Sequence, residues 1–141
     1  MTEVAFHFNA PDRMAYGCRL LRKAVGNGAR VVVTGSAETL QQLDVALWTF
    51  SATDFVPHCR LDSDARIVAA SPVILATTVD LAPHRQVLLN LGEGVPDGFE
   101  SFDRVIELVG LDDDDRLRAR IRWKRYAEGG HAIVRHDLAS K

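Results

Sequence analysis

The sequence predicts a single α/β domain in three layers, with a mostly parallel central sheet. Three observations carry this. Val31-Val32-Val33 and Val73-Ile74-Leu75-Ala76 are short, unbroken apolar runs, as expected of strands covered on both faces. Segments of helical period lie between the strand-like runs, the order that builds a helix-covered parallel sheet. The chain has 141 residues, 47% of them hydrophobic, with no repeat, low-complexity tract or linker, so residues 1–141 form one domain.

Taken in order, Val4 to Asn9 alternates Val4, Phe6 and Phe8 with Ala5 and His7 and predicts a strand. Ala10-Pro11-Asp12 breaks it. Arg13 to Val25 predicts a helix that Gly26-Asn27-Gly28 ends, because Gly and Asn tolerate a left-handed cap. Arg30 to Thr34 is the second strand. Ser36 is a candidate N-cap, with Glu38 in the first turn of a helix carrying Leu40, Leu43 and Leu47 on one face. Pro57 biases Val56 to extended geometry, so this helix gives way to a loop that delivers Phe55 and Val56. His58 to Asp64 reads as a polar loop, Pro72 to Ala76 as a third strand and Gln86 to Leu91 as another. A loop at Gly92–Pro96 leads to a short turn or helix around Phe99 and Phe102, then a strand from Arg104 to Val109. Asp112 to Asp115 opens a last helix, which stops at Gly129-Gly130. Ala132 to His136 is a possible final strand.

The formal net charge of −2 gives no general reason to expect nucleic-acid binding. Two cysteines, Cys18 and Cys59, exclude a disulfide scaffold and a four-cysteine metal site, and read as idle thiols of a cytoplasmic protein. No apolar run reaches the ~20 residues a bilayer requires, and no basic leader precedes an apolar block. Catalytic motifs are missing as well. There is no phosphate-binding Gly-x-x-x-x-Gly-Lys loop, no glycine-rich turn after the first strand and no Gly-x-Ser-x-Gly elbow. Gly92-x-Gly94 is read as a turn. His58 and Cys59 are neighbours on an extended segment and face opposite ways, which separates base from nucleophile. His7 and His84 have no evident partners. The acids at 112–115 read as a helix cap rather than a cation site. No catalytic residue, metal or cofactor is expected. The alternative is a small nucleotide- or metal-dependent enzyme, or a receiver-like regulator, on the same fold.

The informative segment is the last helix. Arg116, Arg118, Arg120, Arg122, Lys124 and Arg125 follow one another with no acid between them. At about 100° per residue, Arg116, Arg120, Trp123 and Lys124 share one arc. Ala119 and Tyr126 fall on a different arc and are better candidates for packing on the sheet. Leu117 and Ile121 lie on yet another, so the buried face is not cleanly defined. Cations beside an indole suit three roles: a solvated helix face, nucleic-acid contact, or capture of an acidic peptide whose carboxylates meet guanidinium forks.

Leu43-Asp44-Val45-Ala46-Leu47-Trp48, followed by Phe55-Val56-Pro57-His58, resembles the hallmark of the chi subunit family of bacterial DNA polymerase III holoenzyme. Asn90-Leu91-Gly92, Arg104 to Val109 and the basic helix ending near Tyr126 extend the resemblance over nearly the whole chain. It implies a Rossmann-like fold and a non-catalytic accessory role at the clamp loader. It also implies two partners, with DNA reached only indirectly and no membrane. One partner is the acidic, phenylalanine-terminated C-terminal tail of single-stranded DNA-binding protein. The family's pocket maps onto Val109, Arg116, Arg120, Trp123, Lys124, Val134 and Arg135, with some of its lysine and tyrosine choices replaced by arginine and tryptophan. The other is the psi subunit or another clamp-loader component, at Leu47, Trp48, Phe55, Val56, Pro57 and His58. Trp48 and Phe55 would be its aromatic anchors, unless both fill the core.

Overall fold

The computed structural model describes residues 2–49 and 56–139. Its elements run β1 (Glu3–Ala10), α1 (Arg13–Gly26), β2 (Val31–Thr34), α2 (Ala37–Thr49), β3 (His58–Arg60) and α3 (Ala65–Ala70). They continue with β4 (Val73–Ala76), β5 (Val87–Asn90), a 3₁₀ turn (Phe99–Ser101), β6 (Arg104–Gly110), α4 (Asp113–Glu128) and β7 (Ile133–Asp137). The seven strands form one sheet in the order β3-β4-β2-β5-β6-β1-β7. Every pairing is parallel, so the fold is a three-layer Rossmann-like α/β domain.

Alternation along the strands divides the core into two layers. Val31, Val33, Val73, Leu75, Leu89, Ile106 and Leu108 pack with Cys18 and Leu21 of α1 and with Leu40, Leu43 and Leu47 of α2. Val4, Phe6, Val32, Ile74, Leu88, Val105 and Val109 pack instead with Val68 of α3, Phe99, and Ala119 and Tyr126 of α4. The valines of β2 are fully buried, as their unbroken run requires. Asp12, Ser36, Asp64 and Asp112 each accept a bond from a first-turn amide of the helix that follows.

Two elements depart from expectation. The segment read as a loop after Pro57 contains β3, a three-residue edge strand, and α3 follows it on an Asp64 cap. Neither is long enough to show a period.

Candidate functional site: a cationic, ring-floored groove beside the edge strand

α4 owes its rotation about its own axis to a buried polar anchor. Its inward stripe is Asp115, Ala119, Arg122 and Tyr126. Arg122 and Glu107 of β6 are both buried, and Arg122 Nε donates to Glu107 Oε1 at 2.9 Å. Glu107 Oε2 also accepts from Tyr126 Oη at 2.6 Å and Asn90 Nδ2 at 2.9 Å. Burial pushes the Glu107 carboxyl up, while the Arg122 guanidinium and these donors pull against it. Burial, then the neighbouring carboxylate, pushes the Tyr126 phenol up. At the helix start Asp115 accepts from the Gly110 amide at 2.7 Å.

With that stripe facing inward, the neighbouring one opens on a groove of about 330 Å³. α4 supplies Arg116, Ala119, Arg120 and Trp123; β1 supplies Phe6, Phe8 and Asn9; Val109 and Arg135 come from β6 and β7. No acid lines it. The floor is aromatic, with the Phe6 and Trp123 rings 5.0 Å apart between centroids. The Arg135 guanidinium lies 5.3 Å from the Phe8 ring centre and 5.9 Å from that of Trp123, within cation–π reach. Arg116 Nη2 donates to Asn9 Oδ1 at 3.0 Å. Trp123 is half-buried and Arg120 exposed.

Of the predicted pocket residues, Val109, Arg116, Arg120, Trp123 and Arg135 converge. Two do not. Val134 lies on the opposite face of the sheet, in a separate depression with His7 and His136, because successive strand residues alternate. Lys124 is exposed and does not line the groove, lying about 90° round the helix from its centre. Arg122, counted among the surface cations, is buried. Sequence reasoning missed Phe6, Phe8 and Asn9, which belong to a strand remote in sequence from α4.

The predicted partner surface on α2 also divides. Leu47 and Val56 are 1% exposed and belong to the core rather than to the exposed surface. The His58 side chain is buried, with Nε2 2.8 Å from Asp44 Oδ1 and Nδ1 2.6 Å from the Val56 carbonyl. Trp48 is 62% exposed, its ring edge-on to His58, and Pro57 is exposed. Phe55 lies outside the described residues.

Other predicted sites resolve into structure. His58 is committed to Asp44 and Val56, while Cys59 is buried in the other core layer. His7, expected to lack evident partners, has Nδ1 2.5 Å from Tyr16 Oη, and its ring centre lies 4.5 Å from that of His136 with the planes tilted by 40°. The Asn90 side chain closes the Gly92–Gly94 turn, accepting from the Gly92 amide and donating to the Gly94 carbonyl. Among the described residues no group of three or more His, Cys, Asp or Glu could hold a metal. None of their helices is long and apolar enough to cross a membrane.

Fold and groove together define a Rossmann-like α/β domain with a cationic, aromatic-floored groove beside its edge strand. Residues 1–134 match the family described as DNA polymerase III chi subunit, HolC, and the chain belongs to that family of replication accessory subunits. A DNA polymerase III subunit chi from Pseudomonas aeruginosa is 32% identical over 143 residues, spanning 98% of both chains. The subunit chi of Escherichia coli is 29% identical over 115 residues, covering 80% of this chain and 77% of the relative. That of Haemophilus influenzae is 28% identical over 109 residues, covering 77% and 75%.

Proposed function

We propose that this protein is a non-catalytic cytoplasmic adaptor that joins the acidic C-terminal tail of single-stranded DNA-binding protein to the polymerase III clamp loader. The observation that carries this reading is the groove itself. Arg116, Arg120 and Arg135 surround a floor of Phe6, Phe8 and Trp123, with no carboxylate in the lining. Carboxylates of a tail meet guanidinium forks, and a terminal phenyl ring meets the aromatic floor. DNA is reached through the partner rather than directly. The exposed Trp48, with Pro57 beside the buried His58, offers a second contact for psi or another clamp-loader component. Two modest contacts on one rigid domain raise the local concentration of each partner for the other.

The test is a calorimetric titration of wild type and Arg120→Ala with a synthetic acidic peptide ending in phenylalanine. Loss of one charge-assisted contact weakens binding by about tenfold. Affinity also falls as salt rises, because the cations lie at the surface. Equal affinity for the two proteins would remove the groove from the function.

A further inference from the structure

β1 is irregular near its end. His7 pairs with Leu108, but Ala10 pairs with Gly110, so three steps on β1 match two on β6. Inside this bulge Asn9 has φ 63°, in the left-handed region, where asparagine is tolerated better than most residues. A bulge re-aims side chains. In a regular strand the consecutive residues Phe8 and Asn9 would face opposite sides of the sheet; here both line the groove.

The redirected carboxamide lies between opposite charges. Its Oδ1 accepts from Arg116 Nη2 at 3.0 Å, and its Nδ2 donates to Asp137 Oδ1 at 2.8 Å. Only this amide orientation satisfies both neighbours, since guanidinium only donates and carboxylate only accepts. The same Asp137 oxygen accepts from the Ala139 amide at 3.0 Å. Arg116 is thus held in a groove that Arg135 also lines, its guanidinium within cation–π reach of the Phe8 and Trp123 rings.

We propose that Asn9 is a positioning residue of the anion-binding groove. Its bulge-directed amide fixes the Arg116 guanidinium before a ligand arrives and engages the Asp137 carboxylate with its other end. The inference rests on the docking role of the groove. Its energetic basis is preorganisation: a long cation already ordered does not lose its rotamer freedom on binding.

The experiment is a double-mutant cycle with the same acidic, phenylalanine-terminated peptide, on wild type, Asn9→Gly, Arg116→Ala and the double variant. Glycine takes the positive φ freely, so Asn9→Gly removes the amide without straining the bulge. The expected result is a three- to tenfold loss for Asn9→Gly, roughly the cost of ordering one long side chain, and almost no further loss when Arg116 is already alanine. Unaltered affinity of Asn9→Gly would overturn the proposal. So would an equal loss in both backgrounds, since Asn9 would then act through the fold rather than through Arg116. Absence of binding by wild type would instead overturn the docking role itself. Should Asn9→Gly fail to fold, Asn9→Ser carries the same cycle, because it removes the carboxamide that reaches Arg116 and adds no charge. It should bind the peptide more weakly than wild type only while Arg116 is present; wild-type affinity, or an equal loss in both backgrounds, would refute the proposal.

Discussion

The rotation of α4 hangs on Glu107 and Arg122, so Arg122→Met is the most informative perturbation of the fold. Methionine keeps much of the volume and removes the charge. Glu107, wholly buried, would keep Tyr126 and Asn90 as donors but lose its counter-ion. Removing one partner of a buried pair costs about 3–5 kcal/mol. For 141 residues the unfolding entropy is about 0.3 kcal/mol per degree, which converts that cost to a fall of roughly 10–17 °C in Tm. The pH dependence has a definite sign. Burial raises the Glu107 carboxyl in the fold, so folding favours its protonated form. Its contribution is fully present below the unfolded value of about 4.3 and is lost as pH rises through the folded value. Without Arg122 the carboxyl rises further, so the Arg122→Met deficit is largest at neutral pH and narrows toward acid. Adding Glu107→Gln removes the uncompensated charge and recovers part of the loss. The assay is thermal unfolding by far-UV circular dichroism across pH. A Tm of Arg122→Met within about 3 °C of wild type at pH 7, or a double variant no more stable than the single one, would refute the anchor.

Further outcomes follow from the same geometry. Val134→Ala leaves affinity for the acidic peptide unchanged in the titration, because Val134 faces the other side of the sheet. Trp48→Ala changes stability by no more than about 0.5 kcal/mol in urea unfolding, whereas Leu43→Ala, fully buried, loses about 2–5 kcal/mol. His7 is pushed down from 6.5 to about 4 by burial first, then by His136 and Arg104. Its contribution is present above pH 6.5 and fades as pH falls toward 4; His7→Gln flattens that part of the Tm profile. Cys18 and Cys59 are buried, and burial raises the Cys18 thiol, so a thiol reagent reacts with them only on unfolding.

Much of the fold was legible because buried parallel strands advertise themselves. Val31–Val33 and Val73–Ala76 read as strands on composition alone, and capping residues marked two of the four helix starts, at Ser36 and at Asp112. β3 and α3 were not legible, since three and six residues fall below the length at which a period shows. The inward stripe of α4 was half legible. Ala119 and Tyr126 read as packing on the sheet, and both are buried. Asp115 and Arg122 of the same stripe were not read as buried because they are charged, and the exposed Leu117 and Ile121 blurred the apolar face. Arg116, Arg120 and Trp123 were found because helical spacing brings them together regardless of burial. Val134 was misplaced although period two along β7 already separated it from Arg135. The family resemblance assigned Leu47 to an interface, although its place in the Leu40–Leu43–Leu47 stripe marked it as core. Asn9 gave no signal, because a bulge is a property of two strands and not of one.

The chain has two tryptophans, one on each proposed surface. Their indole N–H resonances in a heteronuclear NMR titration with the acidic, phenylalanine-terminated peptide therefore report the two surfaces separately. The groove account predicts that the Trp123 indole and the Arg135 amide shift together and saturate, while the Trp48 indole stays in place. A shift at Trp48 with Trp123 unmoved, or no shift at either, would contradict it.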